Sequence, residues 1–266
     1  MRPIATLFIC FIFVLSSGSK LLGQASCVGT ATLNVTINTC VTGELVQASA
    51  FLQGPYNNGT GNMVVPAGFF NLIPLNQPYN RPPWNYSGTE SIASKPASMI
   101  DWVLLEVYDI TGTNLIETKA ALLLNNGSIV DPAYATNQTI TGVYFNNIIT
   151  NNSYRLVVRH RNHLAIMSNT AVSLPNTTPY QFTNPSNVLG GNGQLANVGG
   201  GNHAMLAGDF NSDGVFSLSD YNGYAATGAT NQYLDGDFNL DGSITVGDFN
   251  LYRPNSSIIG MENIRY

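Results

Sequence analysis

Two stretches toward the C-terminal end carry oxygen-bearing side chains at the spacing a hard cation requires. Residues 208–220 read Gly-Asp-Phe-Asn-Ser-Asp-Gly-Val-Phe-Ser-Leu-Ser-Asp and residues 236–248 read Gly-Asp-Phe-Asn-Leu-Asp-Gly-Ser-Ile-Thr-Val-Gly-Asp, a repeat of period 28. Each presents side-chain oxygens at loop positions 1, 3, 5 and 12 and a Gly at 6 for the sharp turn, the pattern with which an EF-hand-type loop wraps a cation. The first loop offers Asp209, Asn211, Asp213 and Asp220, with the Val215 carbonyl at position 7 and Ser217 at position 9. The second offers Asp237, Asn239, Asp241 and Asp248, with the Ser243 carbonyl and Thr245 in the equivalent places. One such string is weak evidence; two in-frame copies, both with Asp at position 12, predict two bound calcium ions. Magnesium fits less well, because it dehydrates reluctantly and demands a rigid octahedron. Six of the fifteen acidic residues lie in these loops and repel one another without an ion, so the region is expected to order on calcium addition. Phe216 and Ile244, at position 8, are expected to pack the loops together across a pseudo-twofold. The helices that follow must be short, with Gly223 weakening the first and Pro254 stopping the second.

Little else in the chain has the makings of chemistry. His160 and His163 invite reading as a metal pair, but residues three apart on a strand point to opposite faces, so joint ligation requires the strand to end between them. A hydrogen-bonded structural His at a strand end is the expectation instead. Asp101, Glu106 and Asp109 do not bring two carboxylates to one point for acid and base work. No catalytic residue, nucleophile or redox pair is expected, and none of the residues marks a cofactor other than calcium. Loops rich in Pro, Asn and Gly carry Tyr56, Tyr79, Trp84 and Tyr86. Exposed rings there would stack on sugars or anchor a protein partner; packed rings would close an open end of a sandwich.

The elements that must position these groups read as mainly β. Charged residues make up 9% of the 266, against roughly 25% in ordinary soluble proteins, and the 26 Gly and 13 Pro imply frequent turns. Ten Lys and Arg against fifteen Asp and Glu, with no cationic run, argue against nucleic-acid binding. Alternation over Leu33–Ile37 and Val46–Leu52 predicts half-buried strands. Trp102 to Tyr108, apolar on both faces apart from Glu106, predicts the central strand of a two-sheet sandwich. Asn126-Gly127, between Leu122-Leu123-Leu124 and Ile129-Val130, predicts a type I′ hairpin. Tyr154 to His163 alternates again, with His160 inward and Arg155, Arg159 and Arg161 on the other face. Gly and Asn dominate residues 187–205, the composition of a flexible connector.

At the N-terminus, Met1-Arg2, an apolar run from Ile4 to Leu15 and small residues at Gly23 and Ala25 predict an export signal over residues 1–25, with an uncleaved anchor or buried strand, or a lipoprotein cut before Cys27, as the alternatives. The mature chain then holds eight basic and fifteen acidic residues, a formal charge of −7, and no membrane span. Cys27 and Cys40 form one disulfide in an oxidising compartment, or remain two buried thiols. The expected layout is a β-sandwich of immunoglobulin- or prealbumin-like type over 26–186, the connector, a calcium module over 206–254 and a tail over 255–266.

The paired Gly-Asp-x-Asn-x-Asp-Gly loops ending in Asp220 and Asp248 resemble a type I dockerin over about one fifth of the chain. That resemblance implies a small α module with two EF-hand-type loops that plugs secreted proteins, often polysaccharide-degrading enzymes, into cohesin-bearing scaffolds. Positions 10 and 11, where cohesin binders often carry Ser-Thr, hold Leu218-Ser219 and Val246-Gly247 here. Upstream, Gly54-Pro55-Tyr56-Asn57, Gln77-Pro78-Tyr79-Asn80, Pro83-Trp84-Asn85-Tyr86, Asp101-Trp102-Val103-Leu104 and the string from Val158 to Leu164 are similar to a recurring unit of secreted and surface proteins of Bacteroidota, which commonly precedes dockerin-like repeats. Together these predict a non-catalytic, calcium-stabilised secreted or cell-surface protein acting in adhesion, assembly or attachment. Its partner would be another extracellular protein, cohesin-like or a second copy, or a glycan. A carbohydrate-binding accessory of a polysaccharide-degrading system and a self-assembling structural subunit are the alternatives.

Overall fold

The longest apolar runs make the longest strands, and these lie at the middle of one sheet. The structure is a computed structural model that describes residues 43–228 and 231–264. The expected export signal, the strand at Leu33–Ile37 and the Cys27 and Cys40 pairing lie outside the described residues.

Short strands β1 (Glu44–Val46), β2 (Ala48–Ser49), β3 (Tyr56–Asn57) and β4 (Asn62–Met63) precede helix α1 (Ala67–Leu72). The long strands β5 (Met99–Tyr108) and β6 (Leu115–Leu124) follow, then β7 (Ser128–Val130), β8 (Val143–Phe145), β9 (Asn152–His160), β10 (His163–Met167), β11 (Val172–Leu174) and β12 (Tyr180–Gln181). The hairpin β13 (Leu195–Gly199) and β14 (Asn202–Met205) leads to helices α2 (Leu218–Ala226) and α3 (Val246–Asn255). The protein is therefore mainly β, with three α-helices among the described residues.

The main sheet runs β10-β9-β5-β6-β7-β2-β12, with β11 also on β9 and β1 paired with β8 beside it. Every residue of β5 is buried, the requirement of a central strand covered on both faces and consistent with a sandwich. Trp102, Leu122, Leu123, Ile129, Phe145, Leu156 and Val158 form the heart of the core, each fully out of solvent. Val46, Ala48, Ala50 and Leu52 all point inward, as their alternation predicts.

Three local expectations are corrected. The β6–β7 hairpin falls where expected, but positive φ within it falls on Gly127 alone, and Gly127 N–H bonds the Leu124 carbonyl. This is a type I turn closed by a left-handed glycine, the geometry of a three-residue loop, with Asn126 Oδ1 accepting from Ser128 N–H. Second, β9 buries both faces over its last five residues: Arg159 is 7% exposed, and Arg161, in the turn that follows, 0%. The face expected in water is covered by the C-terminal segment, where Ile264 packs with Tyr108, Val157 and the β10 residues Ala165 and Met167. Third, residues 187–205 are not a flexible connector. They carry a 3₁₀ turn at Gly191–Gln194 and the β13–β14 hairpin, whose tip is Gly199-Gly200-Gly201 with φ of 88°, 62° and 80°. Composition cannot separate glycines that loosen a chain from glycines that supply the positive φ of a tight tip. Met205 bridges to Leu52 and Ala207 to His163, so β-sheet and acidic loops share one compact unit.

Candidate metal centre

The first acidic loop gathers its carboxylates before any ion is considered. Oxygens of Asp209, Asp213 and Asp220 lie within 4.8 Å of one another. Gly214 at position 6 has φ of 78°, which folds the loop back so that Gly214 N–H reaches Asp209 Oδ2 at 3.2 Å. Asp220 is the third residue of α2, and its carboxylate accepts from the main-chain N–H of Asn211 and of Ser217. Ser217 caps the helix in return, accepting from Ser219 N–H. The position-9 hydroxyl is thus spent on a capping box, which fixes position 12 close to the loop even though Asp is shorter than Glu. Asn211 Nδ2 donates to Asp213 Oδ2 at 2.8 Å.

One atom in this loop is unsatisfied. Asp209 is 1% exposed and its Oδ1 has no hydrogen-bond partner, a costly state for a buried carboxylate. Burial, followed by repulsion from Asp220 and Asp213, pushes the Asp209 carboxyl up to about 7. A buried, unpartnered oxygen beside two further carboxylates fits a hard divalent cation, which would supply the missing positive charge.

The second loop repeats the scaffold 28 residues on. Leu240 and Gly242 take the positive φ that Ser212 and Gly214 take in the first, and Thr245 and Asp248 form the second capping box. Asp248 accepts from the N–H groups of Phe238, Asn239 and Thr245. Here both Asp237 oxygens are satisfied, Oδ1 by Asp241 N–H and Oδ2 by Gly242 N–H. Burial raises the Asp237 carboxyl to about 6, and the nearby Arg161 guanidinium opposes that rise. Asn239 Nδ2 donates to Asp241 Oδ2, and Ser243 N–H to Asp241 Oδ1.

The expected pairing of position 8 across the loops is not what the backbone does. Phe216 N–H bonds the Ile258 carbonyl and Ser257 N–H bonds the Phe216 carbonyl, while Val215 bridges to Ile259. The segment after α3 occupies the edge that Ile244 was expected to take, so the tail is a strap on the first loop. The helices are short, as expected, but Gly223 is there for space: a Cβ at that position would collide with the Phe210 ring. Pro254 lies inside the last turn of α3.

Between the loops sits the tip of the β9–β10 hairpin, Arg161-Asn162, and sequence parity missed it. A two-residue turn ends β9 after His160, so His160 and His163 face each other across the pair, their Nδ1 atoms 3.0 Å apart. His160 Nε2 meets Asp101 Oδ2 at 3.2 Å. A carboxylate only accepts, so His160 carries its proton on Nε2 and its Nδ1 is the acceptor. His163 then holds its proton on Nδ1, shared with Asn162 Oδ1 at 2.8 Å, and the lone pair on its Nε2 is left without a donor. Both rings are neutral, since burial lowers both pKa values. No group of three metal-ligating side chains among the described residues includes either.

Arg161 is fully buried and ties the β-body to the loops. Its Nε donates to Asp101 at 3.2 Å, its guanidinium lies 4.2 Å from the Tyr233 ring centre, and it also bonds the Leu234 carbonyl. Tyr233 O–H donates to the other Asp101 oxygen at 2.6 Å. Burial works to raise the Asp101 carboxyl, but Arg161, His160 and Tyr233 together hold it below its ordinary value. Asn162 Nδ2 donates to the carbonyls of Asp235 and Asp237, Gly208 N–H bonds the Asn162 carbonyl and Ser212 O–H the Arg161 carbonyl. At the rim, Arg81 pairs with Asp235 at 2.6 Å. The signal for this contact was in the sequence: Arg159-His160-Arg161-Asn162-His163 interrupts the apolar run from Leu156 to Met167.

The loop aromatics do not form one exposed patch. Tyr79 is fully buried and donates to the Trp102 carbonyl at 2.7 Å. Trp84 packs edge-on against Tyr79 at 5.1 Å, Tyr86 donates to the Thr118 carbonyl, and Tyr56 packs on Phe51 with its oxygen accepting from Asn202.

No protein-family model matches the chain, and no curated protein matches it in sequence. Two solved structures are similar at low identity, both interface mutants of a type II cohesin–X-dockerin complex from Acetivibrio cellulolyticus. The C-terminal interface mutant is 16% identical over 59% of this chain and 82% of that chain, with a TM-score of 0.34. The N-terminal interface mutant is 14% identical over 81% of this chain and 97% of that chain, with a TM-score of 0.38. Likeness this loose carries no argument about fold or partner. No helix among the described residues is long and apolar enough to cross a membrane.

Proposed function

We propose that this is a non-catalytic, secreted or cell-surface calcium-binding protein, with an immunoglobulin- or prealbumin-like sandwich as its working body, acting in adhesion, extracellular assembly or attachment. The observation that carries the calcium reading is Asp209 Oδ1, buried without a partner beside Asp213 and Asp220. Asp209, Asn211, Asp213, the Val215 carbonyl and Asp220 hold one ion; Asp237, Asn239, Asp241, the Ser243 carbonyl and Asp248 hold the other. Calcium supplies the positive charge that lets the carboxylates crowd together. The chain's own residues do the rest: the capping boxes fix the loops to α2 and α3, and Arg161 and Asn162 fix the loops to the sheet. The functional role is rigidity, a β-body held in a set attitude by ion-ordered loops. Isothermal titration of the metal-free full chain with calcium tests this. Two equivalents taken up support it; none taken up, with Asp209 and Asp237 intact, removes it.

A second reading, docking onto another extracellular protein through the repeat, is favoured by Leu218 and Val246. These apolar residues occupy position 10 of the two loops and are 70% and 69% exposed, which is unusual for paired, equivalent positions unless they meet a partner. Substituting both with Asp is expected to abolish capture of a cohesin domain or of a second copy while calcium uptake persists. Unchanged capture would remove the docking reading alone.

A further inference from the structure

We propose that a cleft on the face of the main sheet, bordered at one edge by Ser212 of the first acidic loop, binds a single uncharged pyranose ring of a glycan. The cleft encloses about 290 Å³, near the lower end of ligand pockets, about 300 Å³, and so suits one ring rather than a polymer segment. Its floor comes from three neighbouring strands: Glu106 and Tyr108 of β5, Thr118 of β6 directly opposite Glu106, and Arg159 of β9. Its wall is Trp84 and Tyr86.

The chemistry of these groups selects the ligand. Glu106 is 6% exposed; its Oε2 accepts from Arg159 Nε at 2.9 Å and from Tyr108 O–H at 3.2 Å, while its Oε1 accepts from no described residue. A carboxylate on a nearly buried side chain, with one oxygen open to the cleft and its acceptor capacity unspent, calls for a donor from the ligand. Because Arg159 already neutralises Glu106, a charged ligand would bring an unpaired charge into a desolvated site, whereas a hydroxyl brings only the missing hydrogen. The aromatic wall requires an apolar face on the same molecule. Hydroxyl donors on the edge and C–H groups on the face are what a pyranose presents. Trp84 is held for that use, edge-on to Tyr79 and with the Arg81 guanidinium 5.4 Å from its ring centre, so little side-chain entropy is lost on binding.

This gives the attachment reading a ligand and rests on that reading only for its use; the sheet and the aromatic wall make up all of the cleft that the argument uses, and Ser212 of the first loop only borders it. The chain has two Trp residues, and Trp102 is fully buried, so acrylamide quenching of fluorescence reports on Trp84. Glucose, galactose, mannose and N-acetylglucosamine are titrated against the full chain, with glucuronic acid and glucosamine as charged comparators, in calcium and in chelator. We expect at least one neutral sugar to protect Trp84 saturably at millimolar concentration. In saturation-transfer NMR, that sugar's affinity should fall at least tenfold in Trp84→Ala and in Glu106→Gln. If Glu106→Gln fails to fold, Thr118→Val, which narrows only the polar edge, should weaken the same sugar. Failure of every neutral sugar, preference for a charged sugar over its neutral parent, or unchanged affinity in Trp84→Ala would each overturn the proposal. Calcium uptake measured on the same sample separates that failure from failure of the calcium reading.

Discussion

The side-chain amide of Asn162 donates to the main-chain carbonyl of Asp237 at 2.8 Å, so the tip of the β9–β10 hairpin and the first residue of the second acidic loop are one unit. The same nitrogen reaches the Asp235 carbonyl at 2.9 Å. Asn162→Ala therefore strips two carbonyls of their donor, a cost of about 1–3 kcal/mol when such groups are buried. Urea unfolding should show a loss of that size, and titration calorimetry should show weaker calcium uptake at one site only. Two unchanged sites would break the link between hairpin and loop.

Arg161 and Asp101, both fully buried, make a pair whose loss is asymmetric. Arg161→Met leaves Asp101 charged with one cation fewer and is expected to cost about 3–5 kcal/mol. Adding Asp101→Asn should recover part of that, because the orphaned charge goes too. A double variant no better than Arg161→Met in chemical denaturation would show that the charge is not what matters.

Asp209 and Asp237 should respond differently to neutralisation. In chelator the Asp209 charge is held against its preference, since its carboxyl is pushed up to about 7 and one oxygen is unpartnered. Asp209→Asn is expected to raise the melting temperature of the metal-free protein, by roughly 2–4 kcal/mol in stability, while abolishing uptake at the first loop. Asp237, whose oxygens are both bonded, should gain less from Asp237→Asn. Equal gains at the two loops would contradict the asymmetry.

Acid should loosen the clasp in two steps. His160 and His163 have folded pKa values below the ordinary imidazole value, so the unfolded chain takes up protons first as pH falls through about 6.5. Their contribution is complete above that pH and is lost below it. Asp101, also lowered, is a carboxylate with the same sign: its stabilisation is present above the ordinary carboxyl range and is lost as pH falls through its folded value. Asp209 and Asp237, raised to about 7 and about 6, act with the opposite sign in the metal-free protein, so the comparison is made in saturating calcium, which keeps them ionised: melting temperature should fall from pH 7 to 5, and less steeply in His160→Gln/His163→Gln. A flat profile in the unsubstituted protein would be the contrary result.

Gly54 and Gly68 offer a matched pair. A Cβ on Gly54 would collide with the Phe238 carbonyl of the second loop, so Gly54→Ala should cost about 1–3 kcal/mol, as overpacking does. A Cβ on Gly68, in α1, meets nothing within 4 Å, and Gly68→Ala should add up to about 1 kcal/mol. Thermal melts of the two variants that moved in the same direction would count against the packing described.

What the order of residues determined is what depends on neighbours close in the chain. A loop such as Asp209 to Asp220 closes on itself, through a positive-φ Gly214 and a capping box three residues long, so the gathering of Asp209, Asp213 and Asp220 could be read from spacing alone. The same holds for the all-apolar β5 and for the turn at Gly127, although which turn type closes it depended on φ at Asn126. What tertiary structure decided is what distant segments share. Parity along a single strand placed His160 and His163 apart, and a two-residue turn brought them together. The inward Arg161 reads as solvated until Asp101, Tyr233 and Leu234 surround it from positions 60 and more residues away. The glycines of residues 187–205 looked loose because composition records freedom, whereas only partners such as Leu52 and His163 record that the freedom is used for tight tips beside a sheet. Local geometry is encoded within a few residues; the burial of a charge is set by which remote groups arrive to neutralise it.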